Sequence, residues 1–473
     1  MSAEMSLAEL FEAYYGRRLA DAVSVGEDTP WLHSYVPFVR GQTHVIAYNF
    51  LRDNYNLRDP VLLRVWVTGP GILDSPRVLN RIFASDEVVH FEPDQLDALV
   101  EFDGALGSVH LQLLHPRVAT ANGEFRFLAY YHAPGAGCAG IHSLGARGLH
   151  YLGSSFGSRA VLADGRIHHA VDPVHVQQVH AALEGDLLSR TRSIAHPLKG
   201  PAFFVSTDAH CRISAVWHDS DMTQTLLRRP VPEPICPIRQ VFPVVDFPTG
   251  APTVWVDPGQ IGFAPARLRF IAHDAGGHVL ADRTSEPGAM PGVIKLAELF
   301  SDASRSRLAY IVTDFGADHG QFEVPALAYL QLWYPGSHGA GDQVHSQITP
   351  SYWTDPLAEP VPYRCRKFAP WSADARLEWR YAIANIGGVG GNRDESVRFR
   401  ICTDDRRERV IDLPVPDERV AWFDGTDLIR ECGLDGARSA IVQIEAETTN
   451  FNAFWLVSDR QSGAHGIDHF TGG

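Results

Sequence analysis

An all-β chain of tandem β-sandwich modules, led by a short N-terminal helix, is the fold class that the sequence predicts. A strand-like stretch recurs as LLRVWVT from Leu62, LRFIAH from Leu268 and VRFRICT from Val397. Each is followed by an apolar run that closes on an acidic, leucine-containing corner: VVHFEPDQL from Val88, VIKLAELF from Val293 and VAWFDGTDL from Val420. Each set then ends in an aromatic strand, FRFLAYYH from Phe125, ALAYLQLWY from Ala326 or FNAFWLVSD from Phe451, with a glycine-rich turn and a lone histidine at His142, His345 or His469. Short runs of strand-forming residues bounded by turn residues are the signature of β-structure. Repetition of whole sets of them decides the architecture ahead of any motif.

In chain order, residues 1–40 form a helical lead, with Leu7, Leu10, Phe11 and Tyr14 at helical spacing until Pro30 and Pro37 stop it. The first module covers residues 41–150. Residues 151–235 are less regular and rich in histidine, and FFVSTDAHCRISAVWHDSD from Phe203 resembles the terminal strands of the other sets, so this segment reads as irregular or as a degenerate fourth module. The helix-compatible and loop-compatible residues of HHAVDPVHVQQVHAALEGDLL give it no secure assignment. Proline clusters at Pro230–Pro237 and Asp355–Pro362 mark the joints on either side of a module at residues 236–353, and the last module spans 363–473. Alternating strands in modules of this size bury one face each against a second sheet, which is a sandwich.

Composition narrows the function. The formal charge is -15 and the chain has no long basic run, so a nucleic-acid backbone is repelled. No apolar run approaches a membrane span, and the N-terminus lacks the apolar core and cleavage site of a signal peptide, so a cytoplasmic location is expected, without membrane insertion. The six cysteines are dispersed with no C-x-x-C pair, as reduced core residues are.

The run from Val397 to Gly463, VRFRICTDDRRERVIDLPVPDERVAWFDGTDL followed by SAIVQIEAETTNFNAFWLVSDRQSG, resembles the single-domain sensory rhodopsin transducer family, and the two other clear modules resemble it in outline. The resemblance implies a small β-sandwich that binds a small molecule, such as a sugar, and oligomerises. It carries over Asp459, Arg460 and Gln461 as a ligand-facing turn. The first two modules have HAPGAG and PGSHGAG in place of D-R-Q.

Four groups of residues are candidates for chemistry. His142, His345 and His469 sit beside small residues that leave an imidazole accessible as a ligand contact, or they satisfy backbone groups at strand ends. His168, His169, His175, His180 and His218 have the ligand types of a zinc site, with Asp172 and His210 nearby, but no H-E-x-x-H or H-x-H spacing. Gly153–Gly157 matches G-x-S-x-G, yet the following SRAVLADG is too short for the helix of a nucleophile elbow, and a glycine-serine turn suffices. Trp217, Trp333 and Trp455, with Tyr130 and Tyr131, offer faces for a sugar ring or fill the sandwich interior.

With no complete catalytic set, the leading expectation is a non-catalytic protein that binds a small molecule or glycan through loops at 133–143, 335–346 and 458–469, with His142, His345, His469, Trp455, Asp459, Arg460 and Gln461 as ligand contacts. One alternative is an assembly or adaptor scaffold, with homo-oligomers or a protein partner formed through edge strands. The other is a metal-dependent hydrolase or lyase using the central histidines, with Asp208 or Asp219 as acid/base. No cofactor is expected, a metal at those histidines being the open case.

Overall fold

The computed structural model describes residues 9, 12–13, 31–49, 61–68, 77–103, 106–114, 127–135, 137–145, 167–171, 176–179, 202–207, 213–218, 238–243, 253–256, 267–284, 292–295, 307–316, 329–335, 341–347, 365–385, 396–416, 419–446, 451–463 and 465–472. They are almost entirely strand, as the periodicity predicts. Glu9, Glu12 and Ala13 of the N-terminal lead are helical. Among the described residues no helix is long and apolar enough to cross a membrane.

The first unit contains β1 (Trp31–Val39), β2 (Thr43–Tyr48), β3 (Val61–Thr68), β4 (Val78–Phe83), β5 (Val88–Phe91), α1 (Pro93–Asp97), β6 (Leu106–Leu114), β7 (Leu128–Ala133), β8 (Gly137–His142) and β9 (Leu144–Gly145). They form two antiparallel sheets, ordered β4-β3-β6-β1-β9 and β5-β2-β7-β8. Val65, Val67, Val109 and Leu111 of one sheet and Val45, Ala47, Ala129 and Tyr131 of the other are buried in one core. Alternate residues make that face because side chains on a strand point to opposite sides. The acidic corner after β5 is a one-turn helix, where Pro93 starts α1 without losing a needed donor and Gln95 Oε1 accepts the Glu92 backbone N–H at 2.9 Å.

Within the histidine-rich segment, β10 (Ile167–Val171), β11 (Val176–Val179), β12 (Ala202–Thr207) and β13 (Ile213–His218) form one sheet ordered β11-β10-β12-β13. This is the order of the second sheet of the first unit. The stretch left unassigned in the sequence thus contains the β10–β11 hairpin. The third unit has β14 (Ile238–Pro243), β15 (Thr253–Val256), β16 (Arg267–His273), β17 (Val279–Thr284), β18 (Gly292–Lys295), β19 (Tyr310–Gly316), β20 (Tyr329–Pro335) and β21 (Gly341–Gln347), in sheets β14-β19-β16-β17 and β18-β15-β20-β21. The fourth has β22 (Cys365–Ser372), β23 (Leu377–Asn385), β24 (Ser396–Thr403), β25 (Glu408–Pro414), β26 (Val420–Asp424), α2 (Gly425–Glu431), β27 (Ser439–Ala446), β28 (Phe451–Asp459), β29 (His465–His469) and β30 (Thr471–Gly472). Its sheets, β25-β24-β27-β22-β30 and β26-β23-β28-β29, repeat the first unit strand for strand.

Register makes the repeat exact enough to equate residues. Asn49 and Asn385 are both buried at the end of the second strand, and their side-chain amides donate to Phe83 O at 3.1 Å and Val415 O at 3.0 Å. Glu92 and Asp424 are both helix N-caps. Arg269 pairs with Asp282 at 2.8 Å, and Arg398 with Asp412 at 3.0 Å, across matching hairpins. Counting strand partners from Asn49 and Asn385 places His44 opposite Tyr130 and Arg380 opposite Leu456 as equivalents. His142 and His469 are likewise equivalent, paired with Leu128 and Phe454.

The units close on one another head to tail. Strands β11 and β12 of the second unit pack on β6 and β1 of the first, β23 and β28 of the fourth on β14 of the third, and β2, β5 and β7 of the first on β27 and β22 of the fourth. At the centre, β8 packs on β13, β13 on β21, β21 on β29 and β29 on β8. The chain is therefore an intramolecular ring in which the last unit meets the first.

Candidate functional site

Where the ring closes, a cleft of about 540 Å³ is lined from the first unit by Gly41, His44, His90, Glu92, Pro93, Asp94, Tyr130, His132 and Pro134, and from the fourth by Ser372, Ala373, Asp374, Arg376 and Arg438. The volume is within the range of ligand sites. Neighbouring strands β5, β2 and β7 carry the histidines on the sheet face opposite the core. His44 stacks on Tyr130, with centroids 4.3 Å apart and planes 7° from parallel. Its Nδ1 lies 3.2 Å from His90 Nε2, and Tyr130 donates its hydroxyl to Ser372 Oγ at 3.0 Å, across the junction.

A short contact between two ring nitrogens requires one of them to offer a lone pair. The electrostatics agree. Burial, then the neighbouring charge of His90, lowers His44 from 6.5 to about 3. Burial is also the main cause that lowers His90 to about 4, against the carboxylates Glu92 and Asp404. Burial raises the Tyr130 phenol, which stays protonated. On the facing wall, the Arg376 guanidinium grips both oxygens of Asp374, at 2.9 Å from Nε to Oδ1 and 2.6 Å from Nη2 to Oδ2. That hydrogen bond is the main cause holding the Asp374 carboxyl low, burial opposing it. Arg438 Nη2 donates to Glu92 Oε1 at 2.8 Å, again between units.

The histidine pair fixes an acid response. In the unfolded chain both imidazoles take protons as pH falls below about 6.5, whereas in the folded chain they resist until about 3 to 4. The unfolded state then binds more protons, so stability falls with pH across that window, by up to ~1.4 kcal/mol per pH unit for each group. We expect the melting temperature to fall steadily from pH 7 to pH 5, and the double variant His44→Gln/His90→Gln to flatten that slope. Equal slopes in the two proteins would contradict the assignment.

The fold does not demand this set. The equivalents of His44, His90, Tyr130 and His132 in the fourth unit are Arg380, Trp422, Leu456 and Ser458. There Arg380 lies over the Trp422 ring at 5.6 Å. The same backbone thus accepts quite different chemistry at these four positions.

The residues expected from sequence to contact a ligand sit elsewhere at this junction, and most are engaged. His142 is not accessible: it is 2% exposed, and its backbone N–H at 2.6 Å and ring Nδ1 at 2.7 Å both meet Asp468 Oδ2. Trp455 is 0% exposed, tilted against Trp379 and covered by Gly140, which leaves no face for a sugar. Asp459 is also buried rather than ligand-facing. One carboxylate oxygen meets His132 Nε2 at 2.7 Å and Gly135 N–H at 3.2 Å, and the other accepts from Gln461 N, Ser462 N and Ser462 Oγ. Burial acts to raise the Asp459 carboxyl, but the hydrogen bonds from His132, Ser462 and Gly135 outweigh it and hold the group at about 2. The sequence thus identified the carboxylate behind His132 rather than the cleft itself. Arg460 and Gln461 remain at the surface, Arg460 Nε donating to Leu377 O at 3.0 Å and Gln461 lying over Gly135.

His345 is on β21 opposite Gln331 and His469 on β29 opposite Phe454; their side chains lie outside the described residues. His168 and His169 are on β10, and His218 faces Ala202 from β13 at the sheet edge; His175, His180 and the Gly153–Gly157 motif lie outside the described residues. Among the described residues no three His, Cys, Asp or Glu side chains converge as a metal site. Cys138 and Cys402 are buried and Cys432 is half-buried, and none of these three is in a disulfide.

No protein-family model matches the chain. No curated protein matches it either. One solved structure, a tetra-tandem repeat in the extending region of a large adhesion protein, shares 9% identity over 93% of this chain and 98% of that chain, at a TM-score of 0.10 that is too low to support any inference.

Proposed function

We propose that the chain is a non-catalytic binding protein that holds a small polar molecule, a carbohydrate foremost, in the cleft between its first and fourth units. One observation carries this reading: polar side chains from two units, several of them replaced at the matching positions of the fourth unit, converge on one ligand-sized cleft. Hydroxyl, imidazole and carboxylate–guanidinium groups side by side can both give and take hydrogen bonds, as a polyol requires. The resemblance to the sensory rhodopsin transducer family leads to the same class of ligand. A cytoplasmic location is part of the proposal.

The scaffold reading is less favoured. The outer edge strands β17 and β25 are shielded by ion pairs, Arg269–Asp282, Arg398–Asp412 and Arg400–Glu408, and charged edges discourage strand addition.

Calorimetric titration with a panel of glycans and polar metabolites tests the proposal. His44→Ala and Arg376→Ala should each weaken binding about tenfold or more, which corresponds to ~1.4 kcal/mol. A ligand held equally well by both variants would place the site elsewhere.

A further inference from the structure

Resting on that reading, we infer that the cleft selects an uncharged, hydroxyl-rich ligand and rejects its anionic counterparts, with Asp94 as the charge-discriminating residue. Charge and pairing carry the argument. Five ionised side chains line the cleft: the cations Arg376 and Arg438 and the anions Glu92, Asp94 and Asp374. Both cations are taken. Arg376 is held by Asp374, and Arg438 by Glu92. An incoming carboxylate or phosphate would compete with the carboxylate already on each guanidinium and would lie beside the like charges of Glu92, Asp94 and Asp374, whereas a neutral ligand meets neither cost.

The paired imidazoles cannot both add positive charge, and His132 is held between the carboxylates of Asp459 and Asp374. His44 and His90 face each other through their ring nitrogens at 3.2 Å, an arrangement that two imidazolium rings cannot adopt. Their lowered pKa values accord with this. The adjoining pocket of about 240 Å³, which shares His90, Glu92 and Arg438, has the same balance: Arg81 is held by Glu87, and Asp404 adds a further carboxylate. Asp94, exposed on the first turn of α1, has no cationic partner among the described residues. It therefore leaves the cleft net negative.

A vicinal diol meets no such obstacle. One hydroxyl donates to Asp374 while its neighbour accepts from Arg376, and the ion pair stays intact. The imidazoles and the Ser372 hydroxyl serve further hydroxyls in either sense.

The test uses the full chain at neutral pH and moderate salt. Affinities are measured for neutral aldohexoses and disaccharides and for the matched uronic acids, in the wild type and in Asp94→Lys. A neutral sugar should bind at least about tenfold more tightly than its uronate. In Asp94→Lys the ratio of uronate to neutral affinity should rise several-fold. A uronate that binds the wild type as tightly as the neutral sugar overturns the inference and leaves the binding reading standing. An unchanged ratio in Asp94→Lys overturns the role of Asp94. Binding of neither class overturns the binding reading and this inference with it.

Discussion

Gly140→Val is expected to prise the first unit from the fourth and to lower the melting temperature by at least about 5 °C. A Cβ at Gly140 would lie 2.3 Å from Trp455 Cη2 and 2.4 Å from Cζ3, far inside van der Waals contact. The indole cannot retreat, because Trp455 is fully buried and backed by Trp379, with centroids 6.1 Å apart. Overpacking of this kind costs ~1–3 kcal/mol where neighbours can shift, and more where they cannot. A partner change separates this mechanism from general damage. Trp455→Leu alone leaves a void, whereas Gly140→Val/Trp455→Leu lets the added methyl groups fill it. The double variant should therefore be more stable than the sum of the single effects predicts, by about 1 kcal/mol or more. Strict additivity in denaturant titrations would show that the two residues do not meet.

Asp459→Ala should destabilise the protein by about 3–5 kcal/mol, the usual result of removing one partner from a buried charged network. The carboxylate satisfies His132 Nε2 at 2.7 Å and the N–H groups of Gly135, Gln461 and Ser462, all of which the alanine would orphan. Urea unfolding measures the loss. The pH dependence gives an independent check. Asp459 titrates at about 2 in the folded chain against 3.8 as its ordinary value, so its stabilisation is fully present above about pH 4 and is lost as pH falls through 2. The gap between wild type and variant should be constant above pH 4 and narrow below it. A gap that persists unchanged at lower pH would assign the stabilisation to packing rather than to the carboxylate. The same variant removes one of the two carboxylates that hold His132 on the cleft wall, so ligand affinity should suffer as well.

The strands were readable from sequence because alternation is a local property. Two of the three acidic corners, VVHFEPDQL and VAWFDGTDL, are β5 with α1 and β26 with α2 for a similarly local reason, since each contains its own N-cap, Glu92 or Asp424; the corner of VIKLAELF lies outside the described residues. The central segment was harder. Its strands are only four to six residues long, and β10 and β11 are interrupted by histidines and glutamines that obscure any period. Of the terminal histidines, His142 and His469 share one register position. That His142 turns inward depends on Asp468, 326 residues away, which no local pattern reveals. The cleft was missed for the same reason. His44, His90 and His132 lie far apart in the chain, and they become a cluster only once β5, β2 and β7 lie side by side and Ser372 arrives from the far end of the chain.

Carrying all four units on one polypeptide has a consequence for how the protein can change. In a ring of identical subunits, a codon altered for one interface is altered for every interface, so a residue that improves one contact must be tolerated at all of them. Here each junction has its own codons. The result is visible at the register position where the first unit has His44 and the fourth has Arg380. A head-to-tail surface that failed to close would propagate into a filament. Covalent linkage instead holds the final contact at high local concentration, so an asymmetric and individually weaker junction still closes. One seam of the molecule can thus change without changing the others.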